Sequence, residues 1–476
     1  MYDLDAFYID GAWRKAGRTT GRMDIINPAT EKRLGSLALG SAQDVDDAVK
    51  AATKAFKTYG ISSRAERIDW MEKILAGYKA RYDEFAEAIM LEMGAPAGLS
   101  KTAQAYSGIQ HFKAALKALK NFEQIEPHSG YALHYEPIGV CGLITPWNWP
   151  INQIACKVAP ALAAGCTMVL KPSEFSALSA QLFAEVVDQA GLPDGVFNMI
   201  YGDGPNVGAA LSHHPDIEMI SFTGSTGAGI AVAQAAASIV KRVSQELGGK
   251  SPVILTEGVD LETVVPECVW LCMENSGQSC NAGTRLLVPA SLQQQVAEIG
   301  RKTAEAYKVG NPEDEAVQIG PLANLAQFKK VKNILKKAEQ AGLTPITGGN
   351  HPVKGCEKGY FIPPTIFSDL KNDQPIANEE IFGPVLAIIP YDTLEQAIEI
   401  ANDTPYGLSA YIYSPDEALG HLLAAQIRAG MVHINGAPLS SDAPFGGFKQ
   451  SGNGREWGLY GLLEFMEIKA IMTNVK

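Results

Sequence analysis

Three polar segments of the sequence carry side chains that could act together in covalent catalysis. Cys280 stands in a polar, glycine-rich stretch, Asn275–Gly283 (NSGQSCNAG). A lone cysteine is more often a small buried apolar residue, but these neighbours favour a loop in which the thiol can be reached. A free thiol has a pKa of about 8.5, so a nucleophilic cysteine needs backbone N–H groups or a cation nearby. We therefore expect positive potential around Cys280.

Glu246 and Asn148 could complete such a site. Glu246, in QELGGKSP, directly follows a predicted strand. It is either a solvated carboxylate or, beside an apolar cavity, a general base with a raised pKa. Asn148 lies between Trp147 and Trp149 in LITPWNWP. It is either a turn residue or a side-chain N–H donor for a developing oxyanion.

The elements that must position these residues alternate between strand and helix from Gly139 onward. Such alternation predicts a mostly parallel sheet covered on both faces, and right-handed crossovers make it a Rossmann-like domain. Its predicted strands are Val140–Ile144, Thr167–Leu170, Val196–Ile200, Met219–Phe222 and Arg242–Gln245. A second α/β block from about Pro252 to residue 440 has predicted strands at Val253–Leu255, Arg285–Val288 and Val385–Ile389.

Segments outside these blocks have simpler patterns. Ser63 and Glu66 form a capping box that predicts the start of a helix reaching about Met93. Tyr131–Glu136 alternates and is predicted as an edge strand or a hairpin arm. The tail Phe465–Val475 looks like a lone strand, which would pair with Tyr131–Glu136 or with another subunit.

Composition limits the classes of function. With 476 residues, 46% of them hydrophobic, the chain can bury the cores of two or three domains. A net charge of −12 argues against nucleic acid or an anionic membrane as a general partner. Prolines and polar residues interrupt the apolar region Val140–Leu170, so no membrane span is expected. Seven cysteines without a CxxC pair and an acidic N-terminus predict a cytoplasmic protein, and scattered histidines predict no metal site.

Two phosphate-binding motifs are incomplete. Gly248–Ser251 ends like a P-loop, but Ser244 stands where its first glycine is needed. Gly202 and Gly204 open like a dinucleotide fingerprint, yet Val207 occupies the third glycine position. Neither motif alone predicts a ligand.

Seven motifs in order give the strongest signal: PWNWP, KPSE at 171–174, FTGST at 222–226, ELGGKSP at 246–252, GQSC at 277–280, EEIFGPV at 379–385 and PFGGFKQSGNGRE at 444–456. The chain resembles the aldehyde dehydrogenase superfamily in these motifs, from about Ile9 to its end. The resemblance implies a Rossmann-like NAD-binding domain (1–118 and 138–247), an α/β catalytic domain (248–445) and a small β oligomerisation element (119–137 and 462–476). It also implies a homodimer or homotetramer.

The resemblance further implies catalytic roles. Cys280 would attack the aldehyde to form a thiohemiacetal, with the oxyanion held by the Asn148 amide and the Cys280 backbone N–H. Hydride transfer to a nicotinamide would leave a thioester, and Glu246 would activate the water that hydrolyses it. Glu456 matches a carboxylate of the family's proton relay, and Lys157 is predicted to lie near the site.

For the cofactor, the resemblance implies that Lys171 and Glu174 bind the adenosine ribose and that Gly224 and Ser225 lie against the pyrophosphate. Glu380 would hold the nicotinamide ribose. The other implied contacts are Gly204 and Pro205 at the adenine, Phe382 at the nicotinamide ring, and Ile144, Thr145, Pro146, Trp147, Phe222 and Leu247. A carboxylate at the 2′-hydroxyl repels a 2′-phosphate, so Glu174 favours NAD, with NADP left open by the nearby Lys171.

Departures from the family pattern concern the substrate. Trp149, Ser279, Gln153 and Cys156 differ from residues common in relatives and predict a wider, more polar tunnel. We therefore expect a small-molecule aldehyde of medium size or aromatic character, and no arginine is evidently placed to select a carboxylated semialdehyde. Two alternatives stay open: a CoA-acylating semialdehyde dehydrogenase, which typically lacks the glutamate seen at 246, and a non-catalytic structural or binding relative.

Overall fold

The computed structural model of the chain describes residues 1–17 and 19–474. Its strands are β1 Tyr2–Leu4, β2 Ala6–Ile9, β3 Ala12–Lys15, β4 Gly21–Ile26, β5 Arg33–Leu39, β6 Ile125–His128, β7 Tyr131–Pro137, β8 Val140–Ile144, β9 Thr167–Lys171, β10 Phe197–Met199, β11 Met219–Thr223, β12 Arg242–Glu246, β13 Ser251–Leu255, β14 Gly283–Pro289, β15 Thr365–Phe367, β16 Val385–Tyr391, β17 Ser409–Tyr413, β18 Met431–Ile434, β19 Gly452–Asn453 and β20 Met466–Met472.

The helices connect these strands and pack against them. They are α1 Ala42–Tyr59, α2 Arg64–Ala80, α3 Tyr82–Met93, α4 Ala97–Leu99, α5 Ala105–Asn121, α6 Pro150–Ala164, α7 Ala177–Gln189, α8 Ala209–His213, α9 Thr226–Ala236, α10 Leu261–Met273, α11 Gln293–Ala306, α12 Leu325–Gln340, α13 Pro375–Asn378, α14 Leu394–Asn402, α15 Glu417–Ala424 and α16 Gly458–Glu464. In the described part of the chain, no helix is both long and apolar enough to cross a membrane.

The predicted Rossmann-like sheet is present and has eight strands, in the order β19-β12-β11-β8-β9-β10-β2-β3. Strands β12, β11, β8, β9 and β10 are parallel to one another, while β19, β2 and β3 at the ends of the sheet pair antiparallel. Every residue of β8, β9 and β11 is buried, as expected for strands covered on both faces. The five strands predicted from the sequence are confirmed to within two residues at each end.

Parallel strands bring the motifs that follow them to one edge of this sheet. Pro146 to Asn148 follow β8, Lys171 ends β9, Gly224 follows β11, and Glu246 is the last residue of β12. The carboxyl ends of parallel strands form the usual ligand crevice of such folds. The four motifs are therefore neighbours in space although a hundred residues separate the first from the last.

A second sheet of six parallel strands, β15-β16-β14-β13-β17-β18, faces this edge with its amino ends. Cys280 lies just before β14, and Glu380 and Phe382 lie just before β16. Two separate apolar clusters pack against this second sheet, and a third cluster surrounds the first sheet. The division into numbered domains stays a prediction.

The tail strand β20 pairs antiparallel with β7, in a register running from Met466 opposite Pro137 to Met472 opposite Tyr131. The predicted pairing of the tail with the segment at 131–136 is therefore confirmed. Strand β7 also pairs with β6, so it is a hairpin arm, as expected, and the centre of its sheet rather than an edge. The part of the predicted tail at Val475 lies outside the described residues.

One helix boundary was predicted wrongly. The capping box of Ser63 and Glu66 is present, but the helix ends at Ala80 and a new one begins at Tyr82. Arg81 leaves helical geometry (φ −109°, ψ 18°), and its guanidinium pairs with Glu185, which belongs to the distant helix α7. The break thus coincides with an ion pair between segments far apart in the chain, and a local sequence pattern does not contain such a contact.

Candidate active site

A cavity of about 190 Å³ lies between the facing edges of the two sheets. It is called the first cavity below. It brings together nine residues expected at the site: Pro146, Trp147, Asn148, Gly224, Ser225, Leu247, Cys280, Glu380 and Phe382. Five further residues line it: Gln153, Thr223, Gly248, Gln327 and Lys330. Of these, only Gln153 was singled out from the sequence, and then as a tunnel residue.

A second cavity, of about 450 Å³, reaches the same cysteine from another direction. Cys280 and Gln153 line both cavities. Trp149 and Ser279, which were predicted to line the substrate tunnel, form part of the wall of the second cavity. The Trp149 Nε1–H donates a hydrogen bond to Ser279 Oγ at 2.8 Å. Cys280 is thus positioned between two spaces, one for each of two reactants.

Asn148 is buried and held rigidly beside the cysteine. Its side-chain Nδ2 donates to the carbonyl of Gln278 at 2.9 Å. The backbone carbonyl of Asn148 accepts hydrogen bonds from Asn275 Nδ2 at 2.9 Å and from Gln104 Nε2 at 3.1 Å. An amide nitrogen carries two protons, so one remains for a ligand in the first cavity. The arrangement fits a fixed donor for an oxyanion.

The thiol of Cys280 lies in surroundings that disfavour its charge. Burial raises the pKa of Cys280, and the nearby carboxylates Glu246 and Glu380 raise it further. Backbone N–H groups of Cys280 and Asn281 oppose this weakly. The backbone donors that a nucleophilic role needs are present, while the nearby charged groups are carboxylates. These surroundings favour the protonated form of the resting thiol.

Alkylation of Cys280 by iodoacetamide should therefore be slow at pH 7 and rise about tenfold per pH unit between pH 7 and 9, because only the thiolate reacts. The rate is measured by mass spectrometry of the peptide that contains Cys280. Cys356, also partly accessible, is the internal comparison, while the other five cysteines are buried. A rate at Cys280 that is fast and flat over this range would contradict the raised pKa.

Glu246 is fully enclosed and does not line the first cavity. Neither of its carboxylate oxygens has a hydrogen-bond partner. Burial raises the pKa of Glu246 well above its ordinary value, and Glu456 adds to this, while Lys157 opposes it. A Cβ on Gly446 would lie 2.6 Å from Glu246 Oε1, so only glycine leaves room for the carboxyl there. The direction of this shift agrees with the alternative in which Glu246 is a general base with a raised pKa rather than a solvated carboxylate.

Lys157 and Glu456 form a buried ion pair behind Glu246. The Lys157 ammonium also donates to Ser221 Oγ at 3.0 Å, and the Cys156 thiol donates to Glu456 Oε2 at 3.3 Å. The two residues predicted from the sequence are therefore in contact with each other. Their charges act on Glu246 through space, since both contribute to its pKa.

The cofactor end of the first cavity offers groups for an anion and for polar hydroxyls. Gly224 and Ser225 precede α9, whose first N–H groups point outward, and the Ser225 side chain caps the helix. The Thr223 hydroxyl is buried without a partner. A Cβ at position 224 would lie 2.6 Å from the Phe222 ring, so a side chain there would crowd the space through which a ligand reaches the backbone. The features fit a pyrophosphate.

Glu380 and Phe382 form the opposite wall. Glu380 Oε1 accepts from the Gly249 N–H at 3.0 Å, and burial raises the pKa of its carboxyl. The Phe382 ring meets Trp147 edge to face at 5.6 Å. Gln327 Nε2 donates to the Phe382 carbonyl at 2.8 Å and so holds this loop in place.

Comparison with known proteins decides the family. The profile described as "Aldehyde dehydrogenase family" matches residues 13–471. The chain belongs to the aldehyde dehydrogenase family. The predicted enzyme class, an NAD(P)-dependent aldehyde dehydrogenase, is confirmed. The chain is 49% identical over 473 residues to 3-succinoylsemialdehyde-pyridine dehydrogenase of a Pseudomonas species, covering 99% of each chain.

Solved aldehyde dehydrogenases share the fold. A mutant of aldehyde dehydrogenase C from Pseudomonas syringae, in complex with NAD+ and octanal, is 47% identical with a TM-score of 0.97, covering 98% of this chain and 96% of that one. A Mycobacterium tuberculosis aldehyde dehydrogenase in complex with NAD+ is 37% identical with a TM-score of 0.96, covering 99% and 98%. These complexes fit the prediction of NAD as the cofactor of this aldehyde dehydrogenase.

The remaining predicted cofactor residues lie outside the first cavity but on the same sheet edge. Lys171 Nζ is 3.2 Å from Glu174 Oε2, so these two are neighbours, as expected. Gly204 and Pro205 are exposed and follow β10. Ile144, Thr145 and Phe222 are buried at the ends of β8 and β11.

Sequence reasoning missed the wall residues Gln327, Lys330 and Thr223. Thr223 stands inside the motif FTGST and could have been chosen from it. Gln327 and Lys330 belong to helix α12, which carries no motif of the aldehyde dehydrogenase pattern quoted above. Only the packing of α12 beside the loop at 380–382 reveals them, with Lys330 Nζ donating to the Glu380 carbonyl at 3.0 Å.

Proposed function

We propose that this aldehyde dehydrogenase oxidises a medium-sized or aromatic aldehyde to the carboxylic acid with NAD+, through a covalent intermediate on Cys280. The observation that carries the proposal is the position of Cys280 between two cavities, with Asn148 fixed beside it and Glu246 buried behind it. Each side chain has the surroundings that its role requires.

In this proposal the Cys280 thiol gives its proton to solvent, and the thiolate sulfur attacks the aldehyde carbon. The developing oxyanion accepts hydrogen bonds from the free Asn148 N–H and from the Cys280 backbone N–H. NAD+, when bound, would accept the hydride that leaves as the carbonyl re-forms. The thioester on Cys280 is then attacked by water that gives its proton to Glu246, after the Glu246 side chain turns from Gly446 toward the cysteine, and the Cys280 thiolate leaves as the acid is released. Glu246 passes the proton to the Glu456 carboxylate, which is paired with Lys157 and returns the proton to solvent.

The cofactor half of the proposal assigns the residues of the sheet edge. Gly224, Ser225 and the start of α9 would hold the pyrophosphate, and Lys171 and Glu174 the adenosine ribose. Glu380 would hold the second ribose, with Phe382, Trp147, Pro146 and Leu247 around the nicotinamide. Ile144, Thr145, Phe222, Gly204 and Pro205 would border the adenosine end. Glu174 makes NAD the preferred cofactor, since its carboxylate accepts from a 2′-hydroxyl and repels a 2′-phosphate.

Replacing Glu174 with Ser should raise the ratio of kcat/KM for NADP+ to that for NAD+ by about tenfold or more, because a like-charge repulsion disappears while Lys171 remains. The ratio is measured from NADPH and NADH absorbance with one aldehyde. The same change at the exposed Glu262 of α10, which lines neither cavity, should leave the ratio near its original value. An unchanged ratio in Glu174→Ser would place the 2′ position elsewhere.

The size and wall of the second cavity support the substrate class. Its volume of about 450 Å³ exceeds what a two-carbon aldehyde needs, and Trp149, Phe445 and Trp457 contribute aromatic surface. The two relatives with the highest identity quoted above point the same way: one was solved with octanal, and the other is named for a semialdehyde attached to a pyridine.

The test measures NADH absorbance with purified protein, NAD+ and a panel of acetaldehyde, octanal, phenylacetaldehyde and semialdehydes, with the acid product identified by chromatography. We expect the free acid without CoA, and a higher kcat/KM for octanal or phenylacetaldehyde than for acetaldehyde. Preference for acetaldehyde would overturn the substrate class. A strict need for CoA would favour the acylating alternative, which the buried Glu246 argues against. No turnover would favour a non-catalytic relative.

We also propose a cytoplasmic homo-oligomer, a dimer or tetramer. The support is the strand β20, whose side chains Ile468, Ile471 and Met472 are exposed although apolar. Light scattering with and without residues 466–476 would test it, since loss of the strand should shift the protein toward smaller species. The proposal includes no nucleic acid, membrane or metal.

A further inference from the structure

A half-buried carboxylate in the second cavity has no part in the proposed chemistry. Glu274 follows α10 and lines the second cavity together with Cys280. Among the described residues its carboxylate has neither a hydrogen-bond donor nor an ion-pair partner. Three residues in left-handed geometry follow it, Asn275, Ser276 and Gly277, which fixes the backbone turn that presents Glu274. Burial alone raises the pKa of Glu274.

The charges around Glu274 are not balanced. Among the described residues, no lysine or arginine lines the second cavity. Its histidine, His111, is neutral, because burial lowers the pKa of His111 to about 3. A carboxylate in a cavity, partly shielded from water, gains from a cation that donates a charge-assisted hydrogen bond to it. The missing charge is therefore expected on the substrate.

Glu274 also stands where a substrate's far end would reach. An outer cavity of about 540 Å³ adjoins the second one, and Glu274, Asn281 and Leu439 line both. A molecule whose aldehyde carbon is at Cys280 and whose body fills the second cavity extends toward this junction. Aromatic side chains, a residue type that attracts cations, lie on both sides of it: Trp149 and Trp457 inside, and Tyr411 outside.

We propose that Glu274 selects aldehydes that carry a positive charge, or a basic nitrogen that takes up a proton, at the end remote from the carbonyl. The recognition combines one carboxylate with neighbouring aromatic side chains. The proposal rests on the proposed function, since it assumes that the second cavity holds the aldehyde. It also agrees with the absence of an arginine from the described residues of this cavity, because Glu274 would repel a carboxylated semialdehyde.

The test compares two aldehydes of the same shape and different charge: 3-(1-methylpyridin-1-ium-3-yl)propanal and 3-(3-methylphenyl)propanal. We expect the wild-type enzyme to have the higher kcat/KM for the pyridinium aldehyde. In Glu274→Gln the cation-to-neutral ratio of kcat/KM should fall by about tenfold or more, mainly through KM of the cation, as for loss of a charge-assisted contact. The ratio does not depend on how much of a preparation is folded.

The matched control is Glu267→Gln, seven positions earlier in α10, which removes the same charge but lines only the outer cavity. Its ratio should stay within about threefold of wild type, because a charge farther from the bound aldehyde is more strongly screened. Oxidation of both aldehydes with the same ratio in wild type and Glu274→Gln would overturn the recognition of charge and leave the proposed function intact. Oxidation of neither would overturn both.

Discussion

Replacing Glu246 with Gln should stop the enzyme after a single hydride transfer. The first turnover needs only Cys280 and Asn148, so NADH should form in an initial burst of one per site. Hydrolysis then lacks its base, and steady-state kcat should fall about 10³-fold, within the range of general-base catalysis. Stopped-flow absorbance at 340 nm measures the burst, and intact-protein mass spectrometry should show the acyl group on Cys280.

The raised pKa of Glu246 gives this prediction a pH dependence. A general base acts when deprotonated, so wild-type kcat should rise with pH as Glu246 loses its proton and level off above its pKa. The Glu246→Gln variant should lose that limb of the profile. The same amide replacement at the exposed Glu262 should change neither burst nor profile. Turnover of Glu246→Gln above a tenth of wild type would show that another group activates the water.

The second large effect is expected for Cys280→Ser, which should lose about 10⁴-fold or more in kcat, because a hydroxyl in these surroundings ionises far less than a thiol. Burial and the neighbouring carboxylates already oppose the thiolate, and they oppose an alkoxide more strongly. NADH absorbance gives kcat, and titration calorimetry with NAD+ should show that the cofactor still binds.

Cys356→Ser is the control for this replacement. Cys356 is partly accessible but lines none of the three cavities, so its loss should leave kcat within about twofold, as for a surface substitution. Activity of Cys280→Ser above a hundredth of wild type would remove the cysteine from its proposed role. Loss of NAD+ binding in the same variant would mean that the replacement damaged the first cavity.

The sequence predicted much of what brings the site together. The alternation of strands at 140–144, 167–170, 219–222 and 242–245 with helices identified a parallel sheet. In the structure PWNWP, KPSE, FTGST and ELGGKSP lie at the edge where these strands end. The pairing of the tail with residues 131–136 was also predictable, since an isolated strand leaves its backbone groups unpaired. These features depend on local periodicity and on rules of chain connection, both of which one sequence contains.

Electrostatics and contacts between distant segments were decided by the tertiary structure. The carboxylates near Cys280 could not be placed from the sequence, because Glu246 and Glu380, 34 and 100 positions away in the chain, converge on it only in the fold. Glu274 drew no attention in the sequence and became a candidate only when the fold enclosed it without a cation. A pKa depends on burial and on distances in space, which order along the chain does not contain. The sequence therefore identified the residues that we propose to react, and the fold determined which charges surround them and which cavities they line.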